Sequence, residues 1–205
     1  DARLLLGNIH AAQNEIDAAQ TIFRNLIQSD PSNPAAYFRL GNINLLKKKP
    51  EAALENFETA LEINPNLMDV FTQIISLYAS QKKYKTALAR CDAHLKTVID
   101  NPVVTSIILN LKGNLLLAEQ AIELSEKTFK LAIEKNPQFI QPYLSLARIY
   151  HSGKQSEKEL MIYKDLIDNR PDQAGPHSFI GTLYEKRKEY ALAEEHYKKS
   201  LAINP

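Results

Sequence analysis

The sequence predicts an all-α array of six helical hairpins, on three observations. Prolines recur with a fixed step: Pro31 and Pro65 are 34 residues apart, and Pro137, Pro171 and Pro205 repeat that interval. Within each interval apolar residues recur at i, i+3, i+4 and i+7, once in each half, which is the stripe of an amphipathic helix. Small residues and aromatics also return at the same places from one interval to the next, and self-similarity at a fixed period marks a repeat architecture. Aligned on its prolines, the chain divides into residues 1–33, 34–67, 68–101, 106–139, 140–173 and 174–205.

Residues 1–33 carry Gly7, Ala19 and Phe23 and close at Asp30-Pro31. Proline cannot continue a helix and drives its predecessor out of the α region, so the second helix of the unit stops there. Residues 34–67 are the most regular copy, with Tyr37, Leu40, Gly41, Ala53, Phe57 and Ala60 in place and Asn64-Pro65 at the close. Pro50 stands at the first position of its second helix, where a missing N–H is no loss. Residues 68–101 depart from the pattern, with Ile75 in the glycine's place, Cys91 in the aromatic's, and the closing proline late, at Pro102. Pro65 and Pro137 are 72 residues apart, which is two periods plus four residues. Four residues make about one helical turn. Either the second helix of this unit is longer than its counterparts or residues 98–105 form an enlarged link, with the insertion near 102–105.

Residues 106–139 carry Gly113 and Phe129, but nothing in 118–122 breaks a helix, so their inner turn is the least marked. Residues 140–173 have Ala147 for the glycine and Glu159 where the other units have a small residue, which predicts loose packing between their two helices. Ser156-Glu157-Lys158-Glu159 reads there as a capping box. Residues 174–205 return to the pattern with Gly181, Ala193 and Tyr197, and Asn204-Pro205 closes them. A glycine inside a helix costs about 0.5–1 kcal/mol relative to alanine. Close approach of the partner helix offsets that cost, with Ala19, Ala53, Ala87 and Ala193 as the facing half of the contact and the aromatics filling the space beside it. Lys47, Lys48, Lys49, Lys82, Lys83, Arg187 and Lys188 end first helices, and Glu51, Glu157 and Glu194 begin second helices. That is the order of charge the helix dipole prefers.

The places occupied by Tyr37, Leu40, Gly41, Ala53, Phe57, Ala60 and Pro65 are those of the tetratricopeptide repeat signature, with Tyr where Trp is commoner. The chain resembles tetratricopeptide repeat proteins over essentially its whole length. The resemblance implies an all-α solenoid of six stacked helix-turn-helix repeats, a right-handed superhelix whose first helices line a concave groove that binds a peptide or a helix of another protein. A single repeat cannot bury its stripe alone, so stability comes from stacking on neighbours. Both ends fall on repeat boundaries without a polar-faced capping helix, so we expect a segment of a longer protein whose exposed terminal repeats can pair end to end.

Composition excludes several functions. At 44% hydrophobic and 24% charged residues, with a formal net charge of +1, the chain is globular and has no bias toward nucleic acid or another polyion. Lys112 interrupts the longest apolar run, between Val103 and Ala118, so no membrane span is predicted. A single cysteine excludes an internal disulfide and leaves the compartment open. The five histidines are scattered, and Cys91 with His94 makes two potential ligands where a zinc site needs about four, so the pair reads as core and no metal or cofactor is expected. No Gly-rich phosphate loop, HExxH or GxSxG motif is present, and the chain does not read as an enzyme.

For the groove, the resemblance implies that the second, fifth, ninth, twelfth and thirteenth places of each repeat face inward. The ninth places hold Asn8, Asn42, Ser76, Asn114, Arg148 and Thr182, a polar ladder. Side-chain amides at regular spacing can pair with the backbone of an extended peptide, because each offers both a donor and an acceptor. Leu4, Phe38, Leu45 and Leu117 are expected to make the first four repeats apolar around that ladder, and Arg148, His151 and Thr182 to make the last two polar. A chaperone-type carboxylate clamp would need a Lys, Asn, Asn, Lys, Arg series where the chain has Leu4, Asn8, Arg39, Asp69 and Gln73, so acidic chaperone termini are not expected to bind. The expected function is a protein-interaction scaffold. Two others are kept beside it: the substrate-recognition arm of a larger enzyme such as a repeat-bearing glycosyltransferase, and a bacterial envelope assembly or export protein.

Overall fold

A computed structural model describes residues 2–98 and 100–205. Among them lie twelve helices and no strand: α1 (Ala2–Ala12), α2 (Ile16–Ser29), α3 (Pro34–Leu46), α4 (Pro50–Ile63), α5 (Met68–Ser80), α6 (Tyr84–Leu95), α7 (Pro102–Ala118), α8 (Ile122–Lys135), α9 (Ile140–Ser152), α10 (Ser156–Asn169), α11 (Ala174–Lys186) and α12 (Tyr190–Ile203). They form two compact units, Asp1–Ile99 and Asp100–Pro205. Each unit is a stack of three hairpins in which every helix packs on the next in sequence, and in each the first helices of adjacent hairpins also touch, α1 on α3 and α7 on α9.

The hairpins are built by repeated local chemistry. Each inner turn places one residue in the left-handed region: Asn14, Lys48, Lys82, Gln120, Lys154 and Lys188, with φ between 55° and 64°. The following N–H then reaches back to the last turn of the first helix, as in Glu15 to the His10 carbonyl, Lys49 to Asn44, Ala121 to Leu116 and Gln155 to Tyr150, all at 2.8–2.9 Å. That bond satisfies a carbonyl which would otherwise be orphaned at the helix end. The weakly marked turn after α7 therefore forms like the others. Between hairpins, the Asp30, Asn64 and Asn136 side chains accept from the N–H two residues on, across the proline, at 3.0–3.2 Å. Asn33 and Asn101 cap α3 and α7 by accepting from Ala36 and Val104.

Three expectations are corrected. The four extra residues do not lengthen α6, which has only 12 residues; they extend α7 to 17, because Asn101-Pro102 is a good helix start. Ile99, inside the expected link, lies outside the described residues. The capping box at Ser156 does not form: Gln155 is the cap residue, Ser156 is already helical, and the Glu159 carboxylate turns to His151 instead. The reason is register, since the left-handed Lys154 and the bond from Gln155 to Tyr150 start α10 one residue early.

The third correction concerns the glycines. A Cβ at Gly7, Gly41, Gly113 or Gly181 would meet the ring of Phe23, Phe57, Phe129 or Tyr197, at 2.6 Å for Gly181. The nearest atoms are ring carbons, so the aromatic of the second helix makes the closest approach to the glycine. The two repeats without the glycine differ in the partner they place there. Ile75 is matched by the small Cys91, and both are buried. Ala147, by contrast, keeps a large partner, Tyr163.

Candidate functional site

All eleven candidate groove residues lie on first helices: Leu4 and Asn8 on α1, Phe38, Asn42 and Leu45 on α3, Ser76 on α5, Asn114 and Leu117 on α7, Arg148 and His151 on α9, and Thr182 on α11. None is buried. In the unit Asp1–Ile99, Leu4 packs against the core of Ala19, Phe23, Leu40 and Ile43. The Phe38 ring sits 5.8 Å from Phe57 with the Arg39 guanidinium 5.5 Å over its face, so its own repeat uses part of its surface. Among the described residues the side chains of Asn8, Asn42, Ser76 and Asn114 make no hydrogen bond within the chain.

In the unit Asp100–Pro205 the candidates converge on cavities. Arg148, His151 and Thr182 line a cavity of about 380 Å³ enclosed by α9, α10 and α11. Leu144, Ala147, Tyr163, Phe179 and Leu183 supply its apolar walls, and Glu159 and Lys186 complete it. Leu117 and Arg148 line a second cavity, of about 300 Å³, together with Ile122 and Ile149. The expectation of a polar face over these last two repeats is thus corrected. Polar residues stand there, but around a recess with an apolar floor.

Two departures from the repeat pattern meet at this cavity. Ala147 adds a methyl where glycine lets the aromatic close down, and Glu159 replaces the small residue on the opposing helix. Ala147 and Glu159 both line the cavity. Glu159 is 6% exposed, and its oxygens lie 3.1 and 3.2 Å from His151 Nδ1. Burial, with Glu159 close by, pushes the Tyr163 hydroxyl up to about 12, so it is neutral. Phe179 stacks on Tyr163 with centroids 5.1 Å apart and 17° between planes, yet 48% of it stays exposed. Tyr163 and Phe179 are missing from the sequence-based candidates, because one is on a second helix and the other stands at the sixth place of its repeat. The paired exceptions Ala147 and Glu159 are the signal that locates them.

Other candidate chemistry is dispersed. Among the described residues no cluster of three or more His, Cys, Asp or Glu side chains could hold a metal. Cys91 and His94 are both buried, and His94 stacks on Phe71 at 4.3 Å. No described helix is long and apolar enough to cross a membrane.

Family models described as tetratricopeptide repeat match residues 4–67 and 177–205. The chain is a tetratricopeptide repeat protein. Anaphase-promoting complex subunit 3 of Schizosaccharomyces pombe is similar to it at 24% identity over 196 residues, covering 96% of this chain and 24% of that protein. The chain therefore spans about a quarter of the length of that relative. Among solved structures, Pseudomonas aeruginosa pilF superposes with a TM-score of 0.66 at 17% identity, over 96% of this tetratricopeptide repeat chain and 87% of that one. YrrB, described as a TPR protein with an unusual peptide-binding site, superposes with a TM-score of 0.52 at 17% identity, over 89% and 92%. These likenesses are of fold. Tetratricopeptide repeat folds are generally scaffolds for protein–protein interaction.

Proposed function

We propose that this chain is a protein-interaction module that holds an extended peptide or a partner helix against the first-helix face of its hairpins and acts by binding alone. The observation that carries the reading is the row of Asn8, Asn42 and Ser76 in the unit Asp1–Ile99, and Asn114 on α7 in the unit Asp100–Pro205, each outside the core and without hydrogen-bond partners among the described residues. The asparagine amides and the Ser76 hydroxyl offer donors and acceptors with which the backbone of a ligand can pair in place of solvent at little enthalpic cost. Similarity to a subunit of a multi-protein complex, and to a fold that binds peptide in YrrB, supports the same reading.

The test compares three immobilised proteins presented with lysate from the source organism: the chain itself, a variant with Asn42→Ala and Asn114→Ala, and a control with Glu62→Ala and Lys127→Ala on second helices. Partners kept by the control and lost by the ladder variant are expected. Equal recovery by all three would move binding off the first-helix face.

A further inference from the structure

The cavity between α9, α10 and α11 is more specific than a general groove. Its floor is apolar, and Phe179 stays half exposed although its face is stacked on Tyr163, so a hydrophobic surface is held ready at the mouth. Arg148 and Lys186 both line the cavity, and neither has an ion-pair partner among the described residues. Neighbouring cations on the same hairpins do have partners: Arg187 pairs with Glu157 at 2.9 Å and Arg170 with Asp172 at 2.8 Å. The one acidic group in the cavity, Glu159, is turned to His151. The cavity therefore combines space for one bulky side chain with two cations at its lining, Arg148 and Lys186, that no carboxylate among the described residues pairs with.

Resting on the peptide-binding reading above, we infer that this cavity is a specificity pocket for a peptide segment in which a bulky apolar residue, Phe or Leu, is flanked by Asp or Glu. The apolar side chain enters beside Tyr163, Phe179 and Leu183, removing the exposed part of Phe179 from water. The acidic neighbours meet Arg148 and Lys186 at the rim, where planar guanidinium can grip a carboxylate through two parallel bonds. Arg148 also lines the second apolar cavity beside Leu117 and Ile122, which gives the same segment a place for a further apolar residue beyond the acidic one. A pocket of about 380 Å³ falls in the range, roughly 300–1,000 Å³, that ligand clefts occupy.

Fluorescence anisotropy with labelled, terminally blocked nine-residue peptides tests this. One set has Phe or Leu at the centre with Glu on both sides, a second has the same centre with Lys on both sides, and a third has Ala at the centre with Glu on both sides. The first set is expected to bind at least about tenfold more tightly than the others, and Phe179→Ala to weaken it by about fivefold or more. Arg148→Glu with Lys186→Glu, on exposed positions that leave the fold intact, is expected to reverse the preference toward the Lys-flanked set. Equal binding of the Glu- and Lys-flanked sets, or charge reversal without effect, overturns the pocket assignment while leaving the general groove reading to its own pull-down. Tighter binding by a matching peptide with a free carboxyl end after its Phe also overturns it, in favour of chain-end capture. Failure of every set to bind overturns it as well.

Discussion

At the scale of single residues, the packing unit of this protein is a glycine covered by an aromatic ring. Adding a methyl at Gly41 or Gly181 places it inside the ring of Phe57 or Tyr197. Overpacking of this kind typically costs about 1–3 kcal/mol. Gly41→Ala is therefore expected to lower the urea midpoint accordingly, and Gly41→Ala combined with Phe57→Leu to recover part of the loss. Strict additivity in that double-mutant cycle would show that the two side chains do not share the space. A second prediction concerns protons. Burial holds the His94, His177 and His196 imidazoles below their ordinary value near 6.5, helped by Arg90 at His94, by Lys199 at His177, and by His177 itself at His196. His177 and His196 face each other with their Nδ1 atoms 3.1 Å apart, a hydrogen bond that requires one of them to be unprotonated. Between the folded and unfolded values the unfolded chain binds more protons, so stability is complete above about pH 6.5 and falls as pH drops through the folded values. Urea midpoints at pH 7.5 and 5.5 are expected to differ in that direction, and His196→Gln to narrow the gap. A midpoint that does not move with pH rules the account out.

At the scale of the element, the hairpin turn is stereotyped in geometry and untypical in composition. All six inner turns put a residue in the left-handed region, and none uses glycine there. In the fifth repeat Gly153 stands one place early, at φ −80°, while Lys154 carries the strain. The left-handed conformation costs an L-residue about 1 kcal/mol relative to glycine, part of which is returned by the greater freedom glycine has when unfolded. Lys154→Gly and Lys82→Gly are each expected to raise the thermal midpoint modestly, by up to about 1 kcal/mol of stability. A drop on both would mean that the lysine side chains contribute more at these helix ends than the backbone strain costs. The α9–α10 hairpin carries two departures from the repeat pattern, Ala147 and Glu159, and both line the cavity.

At the scale of the molecule, burial is distributed by neighbours. The fully covered large side chains, among them Phe57, Phe71, Phe129 and Leu146, belong to helices packed on both sides, whereas α1 buries only Gly7 and α12 only Ala193 and Ser200. Stability in repeat arrays is close to a sum of repeat and nearest-neighbour terms. Amide hydrogen exchange is therefore expected to be fastest in α1 and α12 and slowest in α3–α5 and α8–α10. Uniform protection along the chain would mean that each unit opens only as a whole.

The 34-residue period, the proline stops and the recurrent glycine and aromatic places determined, without coordinates, that the chain is all-α, where five of its six hairpins begin, and that its family is the tetratricopeptide repeat. These features are local or strictly periodic, and a helix stop or an amphipathic stripe acts through neighbours in sequence. Tertiary structure alone decided that the extra turn belongs to α7 and not to α6, because both readings satisfy the same spacing. It also decided that Glu159 serves His151 and not a helix cap, since a shift of one residue redirects the side chain. The cavity was legible only in two unusual residues of its lining, Ala147 and Glu159 in one repeat. Its shape depends on the packing of Tyr163, Phe179 and Leu183, which come from two different helices, α10 and α11.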